Sequence, residues 1–195
     1  PQTVYIGLAV TSRVNGVRCR AVFDNVTVVD SSQYVQPDLQ IRTDDELLYS
    51  GDDVYNDLPL QTKSQTIGEG MVAIYDIKLE NQRFAANRFI ITCSGGNENW
   101  NVSYFDTLSQ ADITDAVKGT GWSSPVLPSG GSLKLILEIT PEPNIPDGNV
   151  LEELITAVSS SDANKDDSVK AVTTFAVFVS LYLRGRIYTT NEDFD

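Results

Sequence analysis

Apolar and polar residues alternate from Thr3 to Thr11 and again from Val17 to Phe23, on either side of Asn15-Gly16. Asn-Gly between two alternating runs predicts a tight hairpin, because a primed turn needs positive φ at both central residues. Alternation continues through Val26, Val28 and Val29, and Ser31-Ser-Gln-Tyr-Val-Gln-Pro37 then reads as a linker. A second pattern begins at Asp38, where Leu39 and Ile41 alternate with Asp38, Gln40 and Arg42. A polar, turn-rich stretch from Thr43 to Leu60 follows, with Tyr49 and Tyr55 as packing residues.

Further strands are predicted at Met71–Glu80, Arg88–Cys93, Trp100–Tyr104 and Leu133–Ile139, the last being the most regular period-2 run in the chain. Gly119–Pro125 and Pro128–Gly131 read as turns. Two long strands, Val150–Ser159 and Val169–Leu183, flank a solvated loop at 160–167. Leu108–Val117 and Val150–Val158 are the helix candidates; in the second, Leu151, Leu154, Ile155 and Val158 also fit helical spacing. Short strands with frequent turn signals predict an all-β fold, an antiparallel β-sandwich with an N-terminal β-hairpin.

Composition narrows the function. The 195 residues carry 14 Lys+Arg against 27 Asp+Glu, a net charge of −13, so nucleic-acid binding is disfavoured. With no histidine, Ser-His-Asp and Cys-His catalysis and His-ligated metal sites are excluded. Cys19 and Cys93 are two singly buried thiols or a disulfide between modules; sequence leaves both open. No apolar run reaches the roughly 18 residues of a membrane-spanning helix. The start at Pro1 suggests a piece of a longer precursor.

Two stretches resemble known families. Tyr5–Ser12, Asn15-Gly16 and Ala21–Val26 resemble the final hairpin of laminin-G/concanavalin-like modules of large secreted bacterial proteins. Gln36–Arg42, Gln61–Gln65, Trp100–Asp106, Asp112–Thr114, Gly121-Trp122 and Val169–Val172 resemble an immunoglobulin-like β-sandwich repeat of modular surface proteins. The resemblance implies a hairpin and linker at 1–35, a sandwich at 36–183 and a tail or the start of another module at 184–195. It implies fold rather than activity.

Acidic loops are the candidate metal sites. Asp44, Asp45, Asp52 and Asp53 offer hard oxygen ligands for calcium, whereas Asp162–Asp166 shares only the first odd positions of an EF-hand loop. Paired carboxylates alone carry almost no glycosidase signal. Trp100, Trp122, Tyr104 and Phe105 could stack on sugars, but Trp100 and Tyr104 share a strand face and fit a core better. Asn25-Val-Thr27 and Asn101-Val-Ser103 match glycosylation sequons.

The expected function is a non-catalytic extracellular or cell-surface module that spaces or joins domains, with adjacent modules as partners. The alternative is a self-assembling fibre or surface-layer subunit that adds strands to identical subunits. There Val4, Ile6, Leu8 and Val10, or Phe175, Val177 and Val179, would form the interface. A second alternative is an accessory domain with glycan partners.

Overall fold

A computed structural model describes residues 36–82 and 85–178. The expected hairpin, its residues Val4, Ile6, Leu8 and Val10, the Asn25 sequon, Cys19, Val179 and the 184–195 tail lie outside the described residues.

The period-2 run of leucines becomes β8 (Ser132–Pro141), in which Leu133, Leu135, Leu137 and Ile139 all point inward. It sits centrally in one five-stranded sheet of order β1-β3-β8-β5-β6. Its companions are β1 (Pro37–Thr43), β3 (Ala73–Asn81), β5 (Trp100–Asp106) and β6 (Ala111–Asp112). The second sheet has the order β2-β10-β9-β4-β7, built from β2 (Thr62–Ile67), β4 (Phe89–Cys93), β7 (Trp122–Ser123), β9 (Val150–Ser159) and β10 (Asp166–Phe175). Every paired ladder is antiparallel except β2 with β10, which is parallel. Inward residues of both sheets form one core that includes Tyr75, Phe89, Tyr104 and Ile155. This is an all-β, immunoglobulin-like sandwich.

Several boundaries differ from expectation. Val150–Ser159 is a strand: Leu151, Glu153, Ile155 and Ala157 are buried at period 2, while Leu154 and Val158 lie on the half-buried outer face. The last strand starts earlier than expected, at Asp166, and ends at Phe175, after which Val177 and Phe178 are exposed. Within 108–117, the chain forms β6 and then a short helix, α1 (Thr114–Lys118), whose Val117 packs on the core. The 119–125 turn contains the two residues of β7, which extend the sheet beside β4. Strand β2 escaped the pattern reading because Thr62–Thr66 is polar. It is an edge strand, held by its parallel ladder rather than by an apolar face.

Candidate functional site

Strand β1 is a sheet edge, and such an edge normally exposes unpaired backbone groups. Here the 44–61 loop folds back and occupies it. The Ile41 N–H donates to Ser50 O at 2.9 Å, and the Ser50 N–H donates to Ile41 O at 2.8 Å. Two residues earlier, the Leu39 N–H donates to Asp167 Oδ2 at 2.6 Å, and Gln61 Nε2 donates to Leu39 O at 3.2 Å. Gly51 makes the turn possible. Its φ is +104°, and an added Cβ would stand 2.9 Å from Leu39 O.

The same loop covers the outer face of β1, so Asp38 and Gln40 are buried although they point away from the core. Asp38 lies directly opposite Glu80 in the β1–β3 ladder, an unfavourable pairing of like charges. Gln40 Nε2 donates to Asp38 Oδ2 at 2.6 Å and to Asp52 Oδ1 at 2.8 Å, and Gln82 Nε2 donates to Asp38 Oδ2 at 3.0 Å. Asp38 Oδ1 has no partner. One carboxylate oxygen from each of Asp38, Asp52 and Glu80 lies within 4.8 Å of the others. The adjacent cation is Lys78, whose ammonium meets Glu80 Oε2 at 2.5 Å. Burial pushes the Asp38 carboxyl up to about 7; the Gln40 hydrogen bond and, last in size, the Asp53 backbone N–H facing the carboxylate oppose this, and the charges of Asp167 and Asp52 add to it.

Two other buried carboxylates are differently placed. Asp167 accepts from the N–H groups of Leu39, Asn56 and Ser168 and from Gln61 Nε2, tying β10, β1 and the loop together. Burial still raises its carboxyl above the ordinary range against those bonds. Glu153, in the middle of β9, accepts from Tyr104 Oη at 2.9 Å, Ser94 Oγ at 2.8 Å and the N–H groups of Gly95 and Gly96. Cys93 stands beside this group. Burial pushes its thiol up to about 11, with the Glu153 hydrogen bond and charge adding to the shift, so it is protonated and a poor nucleophile at neutral pH. Tyr104 is likewise raised well above its ordinary value, first by burial and then by Glu153. This cluster pegs the 94–97 loop to the core.

Of the four calcium candidates, the structure gathers Asp52 with Asp38 and Glu80. Asp44 and Asp45 instead line a shallow depression with Glu46 and Lys63, where Asp45 accepts from Thr43 Oγ1. Asp53 takes the left-handed turn position, with φ 56°, beside Asp52. Sequence reading missed Asp38, Glu80 and Glu153, and it placed Asp167 in a solvated acidic loop, whereas Asp167 is buried on β10. The available signal was charge at a strand position that alternation would bury, as Glu153 is between Leu151 and Ile155. Trp100 and Tyr104 are 4% and 0% exposed and belong to the core, and Trp122 and Phe105 are half-buried. Asn101 is exposed on β5. Phe175 is buried and pairs with Ile67, whereas Val177 is exposed.

Fold and site together define a class: an immunoglobulin-like sandwich whose edge strand is closed by a loop laid over buried acidic residues. No protein-family model matches the sequence, and no curated protein aligns with it significantly. Solved structures resemble the chain at low identity. A family 123 glycoside hydrolase from Clostridium perfringens matches at 16% identity and TM-score 0.48, over 74% of this chain and 28% of that one. The chain thus spans under a third of that enzyme. The CARDB domain of the PF1109 protein from Pyrococcus furiosus, solved with di-metal ions, matches at 9% identity and TM-score 0.38, over 80% and 100% of the two chains. The CupB6 tip adhesin from Pseudomonas aeruginosa matches at 13% identity and TM-score 0.40, over 60% and 42%. Among the described residues, no helix is long and apolar enough to cross a membrane.

Proposed function

We propose that the chain is a non-catalytic, extracellular or cell-surface module that spaces or joins neighbouring domains. The observation that carries this reading is the closed edge of β1, where the backbone groups of Leu39 and Ile41 are bonded by the loop, Gln61 and Asp167. The partner strands at two other edges, β6 and β7, are two residues long each, and β2 is short, polar and carries Lys63. Those are the devices by which a sheet avoids pairing with its neighbours. A sandwich finished in this way supports a self-contained unit, and a net charge of −13 keeps identical units apart.

Sedimentation of the full chain from micromolar to millimolar concentration tests the reading. A monomer throughout is the expected result. Growth with concentration would overturn it in favour of strand addition between subunits, through the hairpin that the sequence predicts at 3–29 or the segment after Phe175. Glycan binding lost on Trp122→Ala would instead move the chain to the accessory carbohydrate-binding class.

A further inference from the structure

We infer that Asp38, Asp52 and Glu80 form a binding site for one divalent cation of the calcium class, which clamps the 44–61 loop onto strands β1 and β3. Three observations converge. The three carboxylates each present an oxygen within 4.8 Å of the others. That is about twice a calcium–oxygen distance of roughly 2.4 Å, the largest separation that two ligands on one ion can have. Asp38 is 0% exposed and one of its oxygens has no hydrogen-bond partner, an arrangement that a fully protein-paired carboxylate does not show. Finally, Asp38 and Glu80 face each other across a ladder with Asp52 brought in from the loop, and the neighbouring Lys78 pairs with Glu80 Oε2, so that among the described residues Asp38 and Asp52 have no cation of their own.

Ligand chemistry selects the ion. An all-carboxylate set with no histidine or thiolate favours a hard cation over zinc or copper. Calcium accepts irregular geometry and takes up water at open positions, and Asp52 is exposed enough for solvent to complete the shell. The ligands come from β1, β3 and the loop, so ion binding would join three segments that hydrogen bonds now join piecemeal. This inference does not rest on the spacer reading, and the two tests fail independently.

The full chain, stripped with a chelator and titrated with calcium at neutral pH, tests the site by calorimetry and thermal melting. We expect one ion per chain and a melting temperature raised by about 5–10 °C at about 100-fold excess over Kd. Asp38→Asn and Asp52→Asn should each abolish the rise, whereas the double variant Asp44→Asn/Asp45→Asn should keep it. Magnesium should give a smaller rise. Absence of heat and of any shift at millimolar calcium overturns the site. So does a rise that survives in both Asp38→Asn and Asp52→Asn. Asp52 is exposed and its variant folds without a new buried defect, so that arm decides the matter if Asp38→Asn does not fold.

Discussion

Glu153 and Asp38 are both fully buried carboxylates, yet they solve the problem of burial in opposite ways. Glu153 collects four donors from Tyr104, Ser94, Gly95 and Gly96, and so orders the loop above it. Asp38 collects two amide donors on a single oxygen, leaves the other bare and faces Glu80 across the ladder. The difference shows what a buried acid is for. Where every lone pair is matched, the charge is a fastener, and removing it strands its donors. Where one oxygen is bare and like charges converge, the charge costs stability, and Lys78, paired with Glu80, offsets only part of it.

The sharpest way to break this contrast is to neutralise each acid in chelator. Glu153→Ala leaves a buried hydroxyl and two N–H groups without an acceptor, and should cost about 3–5 kcal/mol. Asp38→Asn removes the like-charge pairing with Glu80 and should be neutral or stabilising by about 1 kcal/mol. Denaturant midpoints measure both; equal losses would erase the distinction. The next effect is on Cys93. Its thiol is held up to about 11 against an ordinary value near 9.0, so native thiolate is scarcer by about 100-fold at pH 8. Alkylation followed at the Cys93 peptide should be slower by that factor in native than in unfolded chain. Because the folded form holds the Cys93 proton more tightly, the contribution of this thiol to stability should be constant below pH 9 and be lost as pH climbs toward 11. Glu153→Gln should lower the Cys93 value, since the Glu153 charge adds to the shift.

The two regions were unequally legible in sequence. Period-2 alternation located β8, β3 and β5 because their inward faces are apolar, Tyr104 included, except at the ends, where Asn81 closes β3 and Asp106 closes β5. The same rule missed β2, whose polar residues occupy an edge and are placed by pairing with β10. It also gave the last strand too much length, since Val177 and Phe178 are apolar yet outside the ladder. At the sites, the acidic loop was visible as composition, and Asp52 was among its candidates. Asp38 was visible only as a polar residue of an alternating strand, because its burial depends on a loop that returns from residues 44–61. Glu153 carried only the signal of a charge on the inward face of an alternating strand, and nothing local named its partners. Its partners sit 49 to 59 residues away, and only the packing of β9 against β4 and β5 brings them together.

Glycine substitutions probe the two loops more gently. Gly51→Ala forces a side chain into φ +104° and against Leu39 O, and should cost about 2 kcal/mol while speeding amide exchange at Ile41 and Ser50. Gly96→Ala meets the end of the Val102 side chain at 3.1 Å with φ +69°, and should cost about 1 kcal/mol. A larger loss at Gly96 would mean that the Glu153 loop, not the β1 cover, is the stiffer of the two.

The smallest effect lies on the rim of the acidic loop. Lys63 Nζ meets Glu46 Oε1 at 2.6 Å, and the Thr43 N–H donates to Glu46 Oε2 at 3.0 Å. The Lys63 hydrogen bond first, and then the Thr43 backbone bond, hold the Glu46 carboxyl below its usual value. A lowered value means that the pair stabilises the fold above the ordinary carboxylate range and is lost as pH falls through it. Both groups reach solvent, so Lys63→Ala should cost less than about 1 kcal/mol, and less still at high salt. The variant should leave the calcium response intact, since Glu46 belongs to the depression with Asp44 and Asp45 and not to the Asp38 cluster. A calcium response that weakened along with Lys63 would join the two acidic patches into one electrostatic unit, and the contrast between a matched and an unmatched acid would then have to include the whole loop.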